Sequence, residues 1–265
     1  MDGTGIFVAR NTSVLEATVV WSGTSYVVLW NIGQTIYAVR VTRDGRVEGA
    51  PRVIARKAQT NLAIAAASNG SRIVVTYMSV GGPATAEIHA VILDSDANVI
   101  TDLLLAGSEV NRSIPTVAAS RDQFLVIWER LTASPWLLEG MRLDGRGVPL
   151  DAAPRTIASG ESPVLASDGR DFVLLAYQSA GRYVSRKIAA DLTAFPEYEI
   201  ASAVQNPAGL LPGALSIDGL RSGPALIRGG DGTFIAWTDA SIVSTVYAAR
   251  ISSATRAFEG SPMRT

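Results

Sequence analysis

The sequence predicts an all-β fold: a five-bladed β-propeller of four-stranded antiparallel blades, with an N-terminal strand closing the last blade. Three observations predict it. The stretch PTVAASRDQFLVIW, Pro115 to Trp128, reads as a strand, a tight polar turn and a second strand ending in a large aromatic, and versions of it recur along the chain. The apolar runs of the five copies begin at Tyr26, Ile73, Phe124, Phe172 and Phe234, which sets them 47, 51, 48 and 62 residues apart. No stretch sustains a 3.6-residue hydrophobic period, so essentially no helix is expected.

Each copy carries four strand-like pieces. The first is short and small-to-apolar, as in Thr18–Trp21, Ile64–Ala67, Thr116–Ala119, Pro163–Ala166 and Pro224–Ile227. The second is the apolar run, such as Phe124–Trp128; continuous apolarity, in place of alternation, predicts a strand covered on both faces. The third runs through Ile36–Val41, Ile88–Leu93, Leu138–Leu143, Tyr183–Ile188 and Val246–Ile251. An Asp-Gly turn follows at Asp44-Gly45, a pair suited to tight reversal. The fourth piece is more polar and proline-marked, as in Ala50–Ala55 and Ala153–Ala158. Proline there fits an edge strand, which can lose a ladder hydrogen bond. This gradient from apolar to polar is what a blade needs, with its inner strands packed by neighbouring blades and its outermost strand in water.

Read this way, the chain is one domain with blades at about 15–56, 61–107, 114–159, 162–203 and 222–265, and an insertion within 205–222. The segment Pro212–Leu220 faintly echoes a first strand and turn, which leaves the blade count open there. Phe7–Arg10 aligns with the fourth-strand segment Val53–Arg56, whereas the fifth copy ends at Ser261–Thr265. Residues 5–10 are therefore expected to supply the fourth strand of blade five.

At these residues the chain resembles a group of bacterial propeller-repeat proteins of uncharacterised function, whose unit of about 50 residues reads Pro-x-Val-Ala, Gly-x-x-Phe/Tyr, Val-Val-x-Trp, an Arg-containing strand, an Asp-Gly turn and a Pro-containing strand. The resemblance covers essentially the whole chain. Its marked positions are core and turn residues, so it implies a fold and carries over no catalytic or binding residue.

Composition excludes several functions. With 23 basic and 24 acidic residues there is no electrostatic footprint for nucleic acid. No apolar run approaches the ~20 residues of a spanning helix, so no membrane insertion is expected. The absence of cysteine removes disulfides, thiolate metal sites and a cysteine nucleophile. His89 is the single histidine, at a third-strand position matching Tyr37 and Tyr247, where a packed strand residue is expected. Asp44, Asp94, Asp96, Asp144, Asp168 and Asp231 come singly in turns, where they cap backbone groups; calcium would need several carboxylates to converge. The sequence implies no metal and no cofactor. MDGTGIFVAR lacks the pattern of a signal peptide, and the expected setting is nonetheless the exterior or cell surface of a bacterium, with the protein a monomer.

The candidate site lies where loops vary. Second-to-third loops and fourth-to-first links share one face of a propeller, and here they vary most, at Ser79–Ala86, Gly107–Arg112, Arg130–Pro135 and Gln205–Ser222. Trp136 stands at the end of the third of these, an aromatic in a polar loop near Glu129 and Arg130, a platform for a sugar or peptide or a residue folded back on its blade. Arg112 and Glu109, in the link to the third blade, complete the candidate set. Trp30, Trp128 and Trp237 occupy equivalent core positions, and Trp21 is read as core or channel-lining. The expectation is a non-enzymatic module for a carbohydrate or protein ligand. Two alternatives stand beside it. One is a glycan hydrolase with a carboxylate pair drawn from Glu109, Glu129, Glu161 and Asp239; the other is a purely structural segment.

Overall fold

The computed structural model describes residues 8, 14–56, 64–82, 85–107, 112–131, 136–178, 183–199, 225–229, 232–239, 245–252 and 258–264, the last four strands by their backbone. The described strands form five four-stranded antiparallel sheets, each in sequence order. The first contains β1 (Val14–Trp21), β2 (Tyr26–Ile32), β3 (Thr35–Val41) and β4 (Val47–Arg56). The second contains β5 (Ala65–Ser68), β6 (Arg72–Gly82), β7 (Thr85–Asp94) and β8 (Val99–Ala106). In the third are β9 (Arg112–Ala119), β10 (Gln123–Arg130), β11 (Leu137–Asp144) and β12 (Arg155–Ser159). The fourth has β13 (Glu161–Ser167), β14 (Phe172–Tyr177), β15 (Tyr183–Ile188) and β16 (Ala194–Glu199). The fifth has β17 (Ala225–Gly229), β18 (Gly232–Asp239), β19 (Thr245–Ser252) and β20 (Phe258–Arg264). No sheet closes on itself, and no helix occurs among the described residues.

The sheets pack face to face. Val27, Leu29, Ile36 and Ala38 of the first sheet meet Ile73, Val75, Val91 and Leu93 of the second. The opposite face of the second sheet, with Val74, Ile88 and Ile92, meets Phe124, Val126, Trp128 and Met141 of the third. Leu125, Ile127 and Leu138 then turn from the third sheet to Leu165, Phe172 and Leu174 of the fourth. A strand's side chains alternate between faces, so one that is buried on both must be apolar throughout. β10 is buried from Gln123 to Glu129. The inner strands β1, β5, β9, β13 and β17 adjoin in succession.

Two kinds of tight turn repeat at one end of the sheets. In first-to-second turns, the N–H of Ser22, Asn69, Ser120 and Asp168 donates to the carbonyl three residues on. The side-chain oxygen of the same residue accepts the N–H of Ser25, Arg72, Gln123 or Asp171. Third-to-fourth turns run four residues: Thr42, Asp94, Asp144 and Ala189 donate to Arg46, Asn98, Val148 and Thr193. Asp94 and Asp144 each accept two backbone N–H groups in these turns, as caps do.

Prolines mark bulges. Pro115 in β9, Pro163 in β13 and Pro51 in β4 lie where the register shifts, on strands at sheet edges, where the missing N–H breaks no continuous ladder.

The fifth sheet differs from the expectation. Its fourth place is held by β20, with Ile251 opposite Phe258 and Tyr247 opposite Arg264. The chain returns beside β19 soon enough to fill its own edge, the place the sequence had assigned to residues 5–10. Apart from Val8, which is in no strand, those residues lie outside the described set, as does the 205–222 insertion.

Candidate functional site

At the loop end of the third sheet, three charged side chains converge. Arg112 of β9 and Arg130 of β10 are cross-strand partners, and Trp128 stands opposite Glu139 of β11. The Glu139 carboxylate accepts from Arg112 Nε at 3.4 Å and from the Trp128 indole N–H at 3.2 Å on one oxygen, and from Arg130 Nη1 at 3.1 Å on the other. Arg112 also donates to the carbonyl of Gly107. Arg112 and Glu139 are buried, while Arg130 reaches solvent with about a third of its side chain. The Arg130 Nε is buried and has no acceptor among the described residues.

Trp136 immediately precedes Leu137, the residue paired with Arg130, so the indole-bearing residue stands at the same end of the third sheet as this cluster. It is half-buried, and its carbonyl accepts the N–H of Gly160 at 3.0 Å. Glu129 points to the other face of β10, as strand alternation requires. There it is 2% exposed, and its carboxylate accepts the N–H of Ser162 at 2.6 Å, tying the third sheet to the fourth. Glu16 does the same for the first two sheets, accepting the N–H of Ile64 at 2.9 Å. Of the five candidates, then, Arg112 and Arg130 come together on Glu139, Trp136 stands at the same end of the sheet, Glu129 acts elsewhere, and Glu109 lies outside the described residues.

Glu139, the residue that organises the cluster, was missed. A signal existed: it stands in a third-strand column otherwise held by Tyr37, His89, Val184 and Tyr247. That column changes chemistry from sheet to sheet. Tyr37 stacks on Trp30 with ring centroids 5.8 Å apart. His89 stacks on Tyr77 at 5.0 Å; its Nε2 lies 3.2 Å from Glu87, and its Nδ1 lies 3.4 Å from Asp102, within ion-pair range but outside hydrogen-bond geometry. Burial lowers the His89 pKa, but the two carboxylates outweigh it and hold the group above its ordinary value. The Tyr77 hydroxyl donates to Asp102 at 2.7 Å, and burial and that bond keep it protonated.

Glu161, in β13 next to Ser162, is half-buried, and burial raises its pKa. Asp239 ends β18, opposite Thr245. Among the described residues, no three His, Asp or Glu side chains are placed to share a metal ion.

No protein-family model matches the chain, and no curated protein matches it in sequence. Solved structures do resemble it. The BP39L lectin from Burkholderia pseudomallei aligns with a TM-score of 0.67 and 15% identity over 98% of this chain and 74% of that one. The subtype N10 neuraminidase-like protein of A/little yellow-shouldered bat/Guatemala/060/2010 gives 0.59 and 10%, over 97% and 83%. The GH43_1 enzyme from Xanthomonas citri gives 0.53 and 10%, over 95% and 91%. The likeness is one of fold. These neighbours are β-propellers, and the four-stranded antiparallel sheets of this chain are propeller-like.

Proposed function

We propose that the chain is a non-enzymatic carbohydrate-binding module, a closed five-bladed propeller that takes its ligand on the variable-loop face beside the third sheet. The observation that carries the site is the pair of guanidiniums fixed on Glu139 at the hairpin leading to Trp136. A sugar ring presents an apolar C–H face and a rim of hydroxyls. An amphipathic aromatic suits the first, and fixed N–H donors suit the second. Arg130 held by Glu139 loses little further freedom on binding, so more of each hydrogen bond appears as affinity. Fold likeness to a lectin supports this reading.

Support for ring closure comes from the first sheet. Trp30, Val39 and Val41 lie on the face turned away from the second sheet, yet are only 4%, 3% and 4% exposed. A fifth blade against that face accounts for their burial.

Calorimetric titration with saccharides tests the site. Trp136→Ala and Arg130→Ala should each weaken binding about tenfold, the equivalent of one aromatic or charged contact at ~1.4 kcal/mol. Saccharide binding that both variants leave untouched would remove the site from this place.

A glycan hydrolase is the second reading, and one observation favours it: the Glu129 carboxylate sits at the backbone of Ser162, beside Glu161, an acid whose pKa burial raises as a proton donor needs. Turnover of chromogenic glycosides, abolished by Glu161→Gln, would establish it over the binding reading.

A further inference from the structure

At the opposite end of the molecule, the first-to-second turns of four successive sheets surround a cleft of about 1210 Å³. This is the end of the tight, uniform turns, where nothing in loop length signals a site. The turns are joined to one another as well as capped. The N–H of Arg121 donates to the carbonyl of Gly169 at 3.0 Å, joining the third and fourth sheets. Gln123 Nε2 donates to the carbonyl of Ala190 at 2.8 Å across the same boundary, and Asn69 Nδ2 to Gly145 at 2.9 Å between the second and third. Gly23 and Gly70 approach so closely that a Cβ on Gly23 would stand 2.4 Å from the Gly70 carbonyl oxygen. The cleft wall is therefore rigid before any ligand arrives.

Into this cleft faces Trp21, 40% exposed although it ends an inner strand, with the ring of Tyr26 packed edge-on against it at 4.9 Å. An apolar ring left in contact with water at the mouth of a rigid cleft is an open binding surface. Around it the turn caps Ser68, Asn69, Ser120 and Asp168 already serve backbone groups. Arg121, Asp122 and Arg170 are different: all three are exposed, and their side chains make no hydrogen bond or ion pair among the described residues.

We propose that this cleft is a second binding site, specific for neutral oligosaccharides. The charges select the ligand. Arg121 and Arg170 oppose a cation, Asp122 and Asp168 oppose an anion, and the four sum to zero. A hydroxylated neutral chain both donates to carboxylates and accepts from guanidiniums, and lays a ring face on Trp21. The volume exceeds the ~300–1,000 Å³ of a small-molecule pocket, which favours several linked rings over one. The site shares no residue with the Trp136 cluster, so either can stand without the other.

The test is titration of ¹⁵N-labelled protein with four neutral hexasaccharides: cellohexaose, xylohexaose, mannohexaose and maltohexaose. The five tryptophans give five indole signals, and Trp21→Phe assigns the one that matters. A saturable shift of the Trp21 signal with at least one sugar is expected. Trp21→Ala, or the surface double variant Arg121→Ala/Asp122→Ala, should weaken that binding about tenfold, whereas Trp136→Ala should leave it unchanged. The double variant, confined to exposed side chains, keeps the test valid if Trp21→Ala unfolds. A Trp21 signal unmoved by all four sugars overturns the proposal. So does binding that Trp136→Ala abolishes and Trp21→Ala preserves, an outcome that would leave the loop-face reading intact.

Discussion

The Glu139 carboxylate accepts from two guanidiniums and one indole N–H. Glu139→Ala would leave Arg112 buried without that carboxylate, so a loss of about 3–5 kcal/mol is expected in urea denaturation. Truncating the half-buried Arg130 should cost less stability while lowering affinity, which separates folding from binding at one cluster. His89 makes a pH-dependent contribution. Its folded pKa is raised, so its ion pairs with Glu87 and Asp102 stabilise the fold fully below the unfolded value near ~6.5, and the benefit is lost as pH rises through the folded value. Wild-type stability should therefore fall as pH rises above about 6.5, and His89→Gln should flatten that limb. Asp151 works on the acid side. Its bonds to Arg142, at 2.7 and 3.1 Å, lower its pKa, so their contribution holds above ~3.9 and is lost as pH falls through the depressed value. Glu87 apart, which lies two residues from His89 on the same strand, these partners could not be read from sequence, because each pairing joins positions that register, not adjacency, brings together.

Among the elements, the strands were the most legible part. β2, β6, β10, β14 and β18 all contain the apolar runs read from the repeat, because a strand covered on both faces has to be apolar at every position. The Asp turn caps Asp94, Asp144 and Asp168 were legible too, since a carboxylate in such a turn acts by local geometry. Bulges were not: Pro115 and Pro163 reveal an edge strand, but the register shift appears only when the partner strand is known. Gly23 is the turn position with least latitude, having a φ of +100° and the carbonyl of Gly70 in the space of its absent side chain. Gly23→Ala should cost about 1–3 kcal/mol and should also loosen the Trp21 cleft, seen as broadening of the Trp21 indole signal.

For the whole molecule, sheet stacking carries the stability, and the exposed groups at the two ends carry whatever recognition exists. The repeat made the stacking legible. The fifth copy was misjudged because Phe258–Arg264 has little apolar pattern to mark it as a strand, yet it pairs with β19 along most of its length. The Trp21 cleft was legible only in part: Trp21 was read as core or channel-lining, but loop length directed the search for a site elsewhere, and this cleft is built from turns that do not vary. Deleting residues 222–265 should uncover Trp30, Val39 and Val41 and abolish cooperative thermal unfolding, with dye-binding apolar surface exposed. The central claim, that this propeller recognises carbohydrate, is tested most directly by a glycan array probed with the intact protein. Reproducible binding to a restricted set of glycans, competed by the same free sugars, is the expected result. No glycan bound at any protein concentration used would contradict it, and would leave the aromatic and arginine groups at both ends without the ligand class assigned to them.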